Sequence, residues 1–369
     1  MRILHVIENV NTGGAEHMLL NLVTEQVRRK HHVEVMCLFE LGDLVEHFTA
    51  IGVTVTACHK RNGVDVPFIR RVMGVMQAFS PDVVHCHSLM GNYYVAFVRL
   101  LTLSRAIQIV TRHGLLREGE VNRLGFLFEL SLWLTRWAVG VCDTVSDELL
   151  TKHARFTPRI LTIKNGINVA RFKPRNPDSQ HRLKAQLRLA EDYCMVGIVA
   201  RLNPIKNHRL LLDAFALLNK HNPHSALVIV GDGAIRQELE AYAHTLNIAA
   251  VVFFLGDRAD VPELLAGLDV FVLSSDNEGY SLALLEAAAA SLPLVATDVG
   301  GNADIVQPGK NGLIVPSNNS VALAEALMRV LADAEQANAM GEQARAWVEQ
   351  NGSVQAMANA YERLYKGKR

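Results

Sequence analysis

The chain of 369 residues is poor in cysteine and has no excess of either charge. Its 37 basic and 37 acidic side chains cancel, so the whole chain gives no electrostatic reason to expect a nucleic-acid partner. The few cysteines have no close pairing and mostly lie in apolar, strand-like runs. This is typical of buried free thiols in a reducing compartment and not of a disulfide framework. The five are Cys37, Cys58, Cys86, Cys142 and Cys194.

Long apolar segments are also missing. The best candidate for a membrane span, residues 124–142, is interrupted by Glu129 and Arg136, so no span is expected. Residues 1–8 turn polar too quickly for a secretory signal. We therefore expect a cytoplasmic protein that at most contacts the inner membrane face peripherally.

Three common ligand motifs are absent as well. The dinucleotide pattern Gly-x-Gly-x-x-Gly does not occur, because residues 231–236 end it with arginine. Residues 309–311 lack the upstream glycine and the Ser/Thr of a Walker loop. No Asp-x-Asp is present, which removes the usual holder of a divalent metal for a sugar nucleotide. A nicotinamide dehydrogenase and a P-loop enzyme are thus disfavoured.

The elements that are present alternate in type. Short β-rich runs and helical patterns follow one another from residue 2 to about 163, and again from about 194 to the end. Such a βαβ series predicts parallel sheets with helices on both faces. Residues 174–178 hold two prolines among polar residues and predict a linker. The fold class is therefore α/β, with two Rossmann-like, doubly wound domains at 1–173 and 174–352.

Two stretches of the second half, 197–206 and 274–286, each run from an apolar strand through a polar loop into a helix. Loops at the carboxyl ends of parallel strands converge on one crevice, so these two are expected to be neighbours. Two cations and two carboxylates at helix starts suit a diphosphate and hydroxyl groups respectively. The four residues are Arg201, Lys206, Glu278 and Glu286.

The front half contributes glycines and histidines at strand ends. Gly13-Gly14 follows the first strand and predicts either a tight turn or a ligand loop. His85 and His87 could hold a metal, but no further ligand set is evident, and buried hydrogen-bonded histidines are the alternative. For His87 and His113, at the expected crevice, we predict contact with substrate.

Together these motifs resemble the GT-B retaining glycosyltransferases of glycosyltransferase family 4. The most specific part is Glu278-x7-Glu286 with Arg201-x4-Lys206, and the segments 13–16, 165–168 and 299–302 support it. The resemblance covers essentially the whole chain. It implies two Rossmann-like domains facing a central cleft, with the donor mainly on the C-terminal domain. It also implies that the last helix, 353–369, crosses back to the N-terminal domain.

The resemblance assigns roles to particular residues. Arg201 and Lys206 would hold the donor diphosphate, Glu286 the ribose, and Glu278 the transferred sugar. His113 would touch the sugar near the reacting centre. Catalysis would rest on Glu278, His113, Arg201 and Lys206. Further donor contacts would come from Gly13, Gly14, Asp257, Val261, Gly279, Tyr280 and Ser281. No metal and no other cofactor would be needed, since the cations neutralise the leaving group.

The acceptor side is expected to include His87, Tyr93, Tyr94, Arg117 and the loop at 114–123. The apolar helices 91–103 and 124–137 carry arginines and could lie against a membrane, or could face the core. The predicted partners are a nucleotide-sugar donor and a glycan or lipid-linked acceptor.

The predicted enzyme is a hexosyltransferase of bacterial polysaccharide or glycolipid biosynthesis, using a UDP- or GDP-linked sugar with retention. The alternatives are a sugar-nucleotide epimerase or hydrolase on the same fold, or a non-catalytic nucleotide-binding partner subunit.

Overall fold

The structure, a computed structural model, describes residues 1–63, 65–115 and 124–368. The chain forms two compact units, Met1–Gly166 with Val354–Arg369, and Ile167–Ser353. The domain limits expected from the sequence, at residues 173 and 352, lie near these divisions and stay predictions.

The first unit is built on a seven-stranded parallel sheet in the order β3-β2-β1-β4-β5-β6-β7. Its strands are β1 (Arg2–Ile7), β2 (His32–Cys37), β3 (Thr54–Ala57), β4 (Val83–Cys86), β5 (Ile107–Arg112), β6 (Trp137–Gly140) and β7 (Ile160–Thr162). Its helices are α1 (Gly14–Arg28), α2 (Val45–Ala50), α3 (Val66–Phe79), α4 (Leu89–Thr102), α5 (Leu124–Leu132) and α6 (Asp143–Lys152). Apolar strand residues are buried on both faces, as expected for a parallel sheet covered by helices.

The second unit repeats this plan with six parallel strands in the order β10-β9-β8-β11-β12-β13. Its strands are β8 (Cys194–Val199), β9 (Ser225–Val230), β10 (Val252–Phe254), β11 (Val270–Leu273), β12 (Leu294–Thr297) and β13 (Gly312–Val315). Its helices are α7 (Pro177–Gln186), α8 (His208–His221), α9 (Arg236–Thr245), α10 (Val261–Leu265), α11 (Leu282–Ala289), α12 (Asn302–Ile305), α13 (Ser320–Leu331) and α14 (Ala334–Asn351). The two-domain, Rossmann-like α/β fold expected from the sequence is confirmed.

The linker expected at 174–178 is wrong in part, because helix α7 begins inside it. The side chain of Asn176 accepts a hydrogen bond from the Ser179 N–H, and Pro177 occupies the first helical position. Asparagine followed by proline is a helix start as readily as it is a loop. The Arg175 backbone N–H also bonds to the Ala290 carbonyl, so this segment is fixed to the second unit.

The last helix, α15 (Val354–Tyr365), belongs to the first unit, as the family resemblance implied. It packs against α1, and both Tyr361 and Tyr365 are buried there. Within the described residues, no helix combines the length and the apolarity that crossing a bilayer requires.

Candidate functional site

Each sheet has a point at which the strand order reverses. In the second unit β8 lies between β9 and β11, and in the first unit β1 lies between β2 and β4. Loops that follow the two strands at such a point diverge and leave a crevice, which is where open α/β sheets bind ligands. The loops after β8 and β11 carry Arg201, Lys206 and Glu278, and helix α11, which follows the second loop, carries Glu286. We call these four residues the clamp, and the two loops the clamp loops.

The two clamp loops are bonded to each other. The Asp276 backbone N–H donates to the Ile205 carbonyl at 2.8 Å, and the Ser274 hydroxyl donates to the Lys206 carbonyl at 2.9 Å. Asn203 starts the intervening 3₁₀ turn by accepting a hydrogen bond from the Lys206 N–H. The neighbourhood predicted for the two stretches is therefore present in the fold.

At the centre of this clamp, Lys206 Nζ lies 2.6 Å from Glu278 Oε1. The same carboxylate oxygen accepts a hydrogen bond from the Ser275 hydroxyl at 2.7 Å. Glu278 is nearly buried, so its charge is held by these two donors. Sequence reasoning missed Ser275, although its position in the same polar loop was a usable signal.

The other two predicted clamp residues differ from this pair. Arg201 is exposed, and no carboxylate of the described residues pairs with it. Glu286 lies in α11, whose N-terminus is capped by the Ser281 hydroxyl. Burial raises the pKa of the Glu286 carboxyl to about 7, although Arg171 opposes the shift. The Glu286 backbone carbonyl accepts a hydrogen bond from the Ala290 N–H, but its side-chain carboxylate has no hydrogen-bond partner among the described residues.

The loop after β12, residues 299–302, packs against the backbone of Glu278 and Gly279. Gly300 has a backbone φ of 53°, and a Cβ placed on it would lie 1.8 Å from the Glu278 carbonyl oxygen. The Gly301 N–H donates to the Gly279 carbonyl at 2.9 Å. Only glycine fits at residue 300, which explains why the segment 299–302 accompanies the carboxylate motif.

The other residues predicted to contact the donor lie near the Lys206–Glu278 pair in sequence or to one side of it in the sheet. Gly279 and the buried Tyr280 lie directly before the cap of α11. Asp257 is exposed after the edge strand β10, and Val261 begins α10. Since β9 separates β10 from β8, this loop lies to one side of the Lys206–Glu278 pair. The assignment of these residues to the donor stays a prediction.

In the first unit, α1 begins after the loop that follows β1. Gly13 is its N-cap in an extended conformation, and a Cβ added to Gly14 would meet nothing within 4 Å. The described fold therefore does not require glycine at residue 14. Its role in a ligand loop stays a prediction.

Four histidines line the reversal point of the first sheet. His5 Nε2 lies 2.8 Å from Gln26 Oε1, and His5 Nδ1 lies 2.9 Å from His87 Nε2. His87 Nδ1 lies 3.1 Å from His113 Nε2. We call Gln26, His5, His87 and His113 the histidine chain. His5 and Gln26 were missed from the sequence, because helix α1 and strand β1 become neighbours of His87 only in the fold.

His85 belongs to a second branch of the same buried network. Its Nδ1 lies 2.8 Å from the Tyr365 hydroxyl, and its Nε2 lies 2.8 Å from the Thr111 hydroxyl. The Gln26 amide nitrogen donates to Tyr365 at 3.2 Å, which joins the two branches. Burial lowers the pKa of His5 and of His113 to about 4, and it lowers the pKa of His85 and His87 well below the usual value.

These imidazoles also have the geometry of a metal cluster. One ligand atom from each of His5, His85 and His87 lies within 4.8 Å of the others. Yet every ring nitrogen of the three already has a hydrogen-bond partner. A metal would have to displace several of these bonds, so the residues fit a hydrogen-bonded network better than a metal centre. The expected absence of a metal stays a prediction.

The acceptor-side residues are only partly described. Tyr93 and Tyr94 contact each other with ring centroids 4.6 Å apart, and Tyr94 packs edge-on against Phe68. Burial raises the pKa of Tyr93. Arg117 and residues 116–123 of the predicted acceptor loop lie outside the described residues.

Comparison with known proteins gives two family matches. Residues 12–171 match Glycosyltransferase Family 4, and residues 179–347 match the glycosyl transferases of group 1. The chain is 31% identical over 264 residues to an Escherichia coli UDP-Gal:alpha-D-GlcNAc-diphosphoundecaprenol alpha-1,3-galactosyltransferase, covering 68% of this chain and 67% of that protein. It is 28% identical over 284 residues to the putative glycosyltransferase EpsD of Bacillus subtilis, covering 75% and 74%.

Solved structures with the same fold cover the chain from end to end. The crystal structure of Anabaena HepE in complex with UDP superposes with a TM-score of 0.88 at 21% identity, covering 100% of both chains. The same protein in complex with UDP-glucose gives a TM-score of 0.85 at 21% identity, covering 99% of each. At this identity the likeness concerns the fold.

Proposed function

The chain belongs to the glycosyltransferases of group 1 and family 4, and from this premise we propose a specific reaction for it. It transfers a hexose, with retained anomeric configuration and without a metal, from a nucleoside diphosphate sugar to a glycan or lipid-linked acceptor. The reaction serves the synthesis of a bacterial polysaccharide or glycolipid.

The observation that carries this proposal is the Lys206–Glu278 pair at the strand-order reversal of the second sheet. An ammonium group has three N–H donors, and Glu278 uses one of them. The remaining donors of Lys206, and the guanidinium of Arg201, which pairs with no carboxylate of the described residues, suit the two phosphates of a donor. Glu278, held by Lys206 and Ser275, is positioned to accept hydrogen bonds from sugar hydroxyls.

The same arrangement supports a metal-independent displacement. The bond between the anomeric carbon and the diphosphate oxygen breaks while the acceptor hydroxyl oxygen bonds to that carbon from the same face. The acceptor proton passes to the leaving phosphate oxygen, so no side-chain base is required. Arg201 and Lys206 stabilise the negative charge that develops on the diphosphate. Glu278 orients the sugar and forms no covalent adduct.

For the donor base we propose uracil, with guanine as the second choice. The support is that Anabaena HepE, which shares the fold, crystallises in complex with UDP and with UDP-glucose. The half-buried Glu286 suits the two ribose hydroxyls, since both donate to one carboxylate. His113 contacts the transferred sugar, and the segment Asp257–Val261 contacts the base, as the family resemblance implies.

The direct test is mass spectrometry of products formed from a panel of UDP- and GDP-linked hexoses with glycan and lipid-linked acceptors. We expect one donor to give a product heavier by one hexose, together with free nucleoside diphosphate. Free sugar or an epimerised donor without that product would favour an epimerase or hydrolase. Donor binding without any turnover would favour a non-catalytic subunit.

A lipid-linked acceptor would place the enzyme at a membrane, and one face of the first unit suits this. Helices α4 and α5 pack together. A set of large apolar side chains on them and just after them is exposed to solvent, each over about two fifths to four fifths of its surface. We call this set the α4–α5 face. It consists of Phe97, Leu100, Leu101, Leu103, Phe126, Leu127, Leu130, Trp133 and Leu134.

Basic side chains border this apolar surface. Arg99, Arg105, Arg136 and Arg159 line a surface pocket that also includes Trp133. Apolar side chains that enter the acyl boundary, flanked by arginines that meet anionic headgroups, are the features of a peripheral membrane site. The E. coli relative, whose named substrate carries an undecaprenol diphosphate, supports this placement. We propose that the α4–α5 face rests on an anionic bilayer.

Vesicle flotation tests this placement. The wild type should float with vesicles that contain phosphatidylglycerol and much less with pure phosphatidylcholine. The double variant Leu100→Ser, Leu130→Ser should lose flotation but keep its activity on a short soluble acceptor. Val321→Ser, which removes an equally exposed apolar side chain in the second unit, is the matched control. Equal flotation of all three proteins would remove the membrane from the proposal.

A further inference from the structure

The histidine chain is a line of polar side chains inside an otherwise apolar unit. His5 and His85 are directly paired in the register of β1 and β4, so their side chains share one face of the sheet. His5, His85 and His87 are all buried, as is Gln26 on the helix that covers them. A buried polar group without a partner is costly, so such a line persists only if its hydrogen bonds are consistent throughout.

The hydrogen-bond pattern fixes a direction along the chain. The Gln26 amide oxygen faces His5 Nε2, so this nitrogen carries the proton and donates. A neutral imidazole has one N–H, so His5 Nδ1 is the acceptor for an N–H on His87 Nε2. By the same reasoning His87 Nδ1 accepts from His113 Nε2. His113 Nδ1 is then left with a lone pair.

Two further observations support this direction. The Gln26 amide nitrogen donates to the Tyr365 hydroxyl, which agrees with an amide oxygen that faces His5. Burial lowers the pKa of His113 to about 4, with a contribution from the neighbouring Arg112, so the ring is neutral at physiological pH. A neutral ring has two tautomers, and the chain selects one of them.

The His113 end of the histidine chain has no further hydrogen-bond partner among the described residues. His113 Nδ1 is shielded from solvent and makes no hydrogen bond within the described part of the chain. Buried acceptors without a donor are tolerated better than buried N–H groups without an acceptor. The selected tautomer therefore leaves an unpaired acceptor at His113 Nδ1, which costs less free energy than an unpaired N–H would.

We propose that Gln26, His5 and His87 are positioning residues that fix His113 as its Nε2–H tautomer and present Nδ1 as a hydrogen-bond acceptor to a hydroxyl of the transferred sugar. The inference rests on the proposed function for the identity of that ligand, but the tautomer is a property of the protein alone. It makes the enzyme specific for a donor that has this hydroxyl. It also assigns His87 a positioning role. Direct contact between His87 and an acceptor substrate would require one of its two hydrogen bonds to break.

The tautomer is measured by long-range proton–nitrogen NMR of the full-length chain labelled with ¹⁵N-histidine, without any substrate. We expect His5, His87 and His113 to carry their protons on Nε2. A proton on His113 Nδ1, an even mixture of tautomers or metal-coordinated nitrogen shifts would each overturn the proposal. Because the spectrum needs no turnover, this result is independent of whether the proposed reaction is right.

Two substitutions at residue 26 separate the direction of the chain from its packing. Gln26→Met keeps the length of the side chain but removes the acceptor for His5, so the wild-type direction of the histidine chain loses its advantage and His113 should become a mixture of its two tautomers. Gln26→Glu keeps an acceptor opposite His5, so His113 should retain the wild-type tautomer. Wild-type shifts at His113 in the Gln26→Met protein would contradict the proposal.

Kinetics connect the tautomer to specificity. Gln26→Met should lose kcat/KM for the natural donor in proportion to the fraction of His113 that carries its proton on Nδ1, about twofold for an even mixture, while Gln26→Glu should lose little. With deoxy donors, one of them lacking the contacted hydroxyl, the difference between the two variants should disappear for that donor alone. An equal loss with every donor would indicate general damage to the fold and would exclude the specificity role.

Discussion

The two polar clusters of this protein occupy equivalent places in two similar sheets, yet they are built from opposite chemistry. The histidine chain of the first unit is neutral, largely buried and hydrogen-bonded from Gln26 to His113, where Nδ1 has no partner among the described residues. The clamp of the second unit is ionic, and it leaves Arg201 exposed and Lys206 with donors to spare. The strand-order reversal creates the crevice in both cases, and the side chains decide what it can bind.

This difference predicts how each cluster responds to mutation. Removing a charge from the clamp should weaken the reaction more than it weakens the fold, because that charge has few protein partners. Removing a group from the histidine network should weaken the fold, because a buried partner is left without its bond. The experiments below test this contrast, beginning with the largest expected effect.

The largest loss should follow removal of either clamp cation. Lys206→Ala and Arg201→Ala should each lose roughly 2.7–4 kcal/mol of transition-state stabilisation, or about 100- to 1,000-fold in kcat. Circular dichroism and melting curves should show that both variants remain folded. Arg209→Ala removes an exposed arginine from the same unit and should react normally. Near wild-type rates for both clamp variants would mean that the diphosphate lies elsewhere.

A smaller effect, on the stability of the fold, is expected at Tyr365 of α15. This residue joins the histidine chain to His85, and we call the whole set the histidine network. Tyr365→Phe leaves His85 Nδ1 and the Gln26 amide without their shared partner, at a cost of about 1–3 kcal/mol in the free energy of unfolding. Tyr193→Phe is the control, since the Tyr193 hydroxyl makes no hydrogen bond in the described residues. Equal denaturation midpoints for the two variants would contradict the network. Deleting residues 353–369 should destabilise the first unit further.

Glu286 should make nucleotide binding depend on pH. The pKa of Glu286 in the folded protein, about 7, is above the ordinary value for a carboxyl. The protonated carboxyl therefore contributes to the free energy of unfolding at low pH, and this contribution is lost as the pH rises through 7. Ribose hydroxyls bind the ionised form, so UDP affinity should fall by up to about tenfold per unit as the pH drops below 7.

The variant Glu286→Gln isolates this dependence by calorimetry. It should bind UDP more weakly above pH 7, lose this part of the pH slope and, without nucleotide, melt at a higher temperature than the wild type at alkaline pH. The titration of UDP's own phosphate is common to both proteins and cancels in the comparison. Glu325→Gln, at an exposed position of α13, should change nothing. Identical pH slopes for Glu286→Gln and the wild type would rule out the ribose role.

The smallest effect is expected from chelation. Since Arg201 and Lys206 supply the positive charge at the diphosphate, excess EDTA should leave the rate unchanged. Abolition by EDTA with recovery on adding manganese or magnesium would contradict this. The cluster of His5, His85 and His87 would then have to be considered as the ligands.

Much of this arrangement could be predicted from the sequence because its signals are local. The alternation of apolar strands and helices predicted both sheets, and the position of Lys206 and Glu278 at strand ends predicted that they meet. The N-terminus of α7 was missed because Asn176-Pro177 suits a helix start and a loop equally well.

The histidine chain could not be predicted from local sequence signals, because its members are distant in the sequence. His5, Gln26 and His87 come from two strands and a helix that meet only when β1 and β4 pair and α1 covers them. The sequence marked His87 and His113 by their strand ends, but their partners depend on the register between strands. Packing of α15, from the far end of the chain, adds Tyr365 to the same network.

The anomeric configuration of the product tests the central claim most directly. The purified chain is incubated with its preferred α-linked nucleoside diphosphate sugar and an acceptor, and the coupling of the anomeric proton in the new glycosidic bond is recorded by NMR. Transfer supported by the Arg201–Lys206 clamp, with the leaving phosphate taking the acceptor proton, predicts an α-linked product. A β-linked product would contradict the account, because inversion requires a base on the opposite face of the sugar.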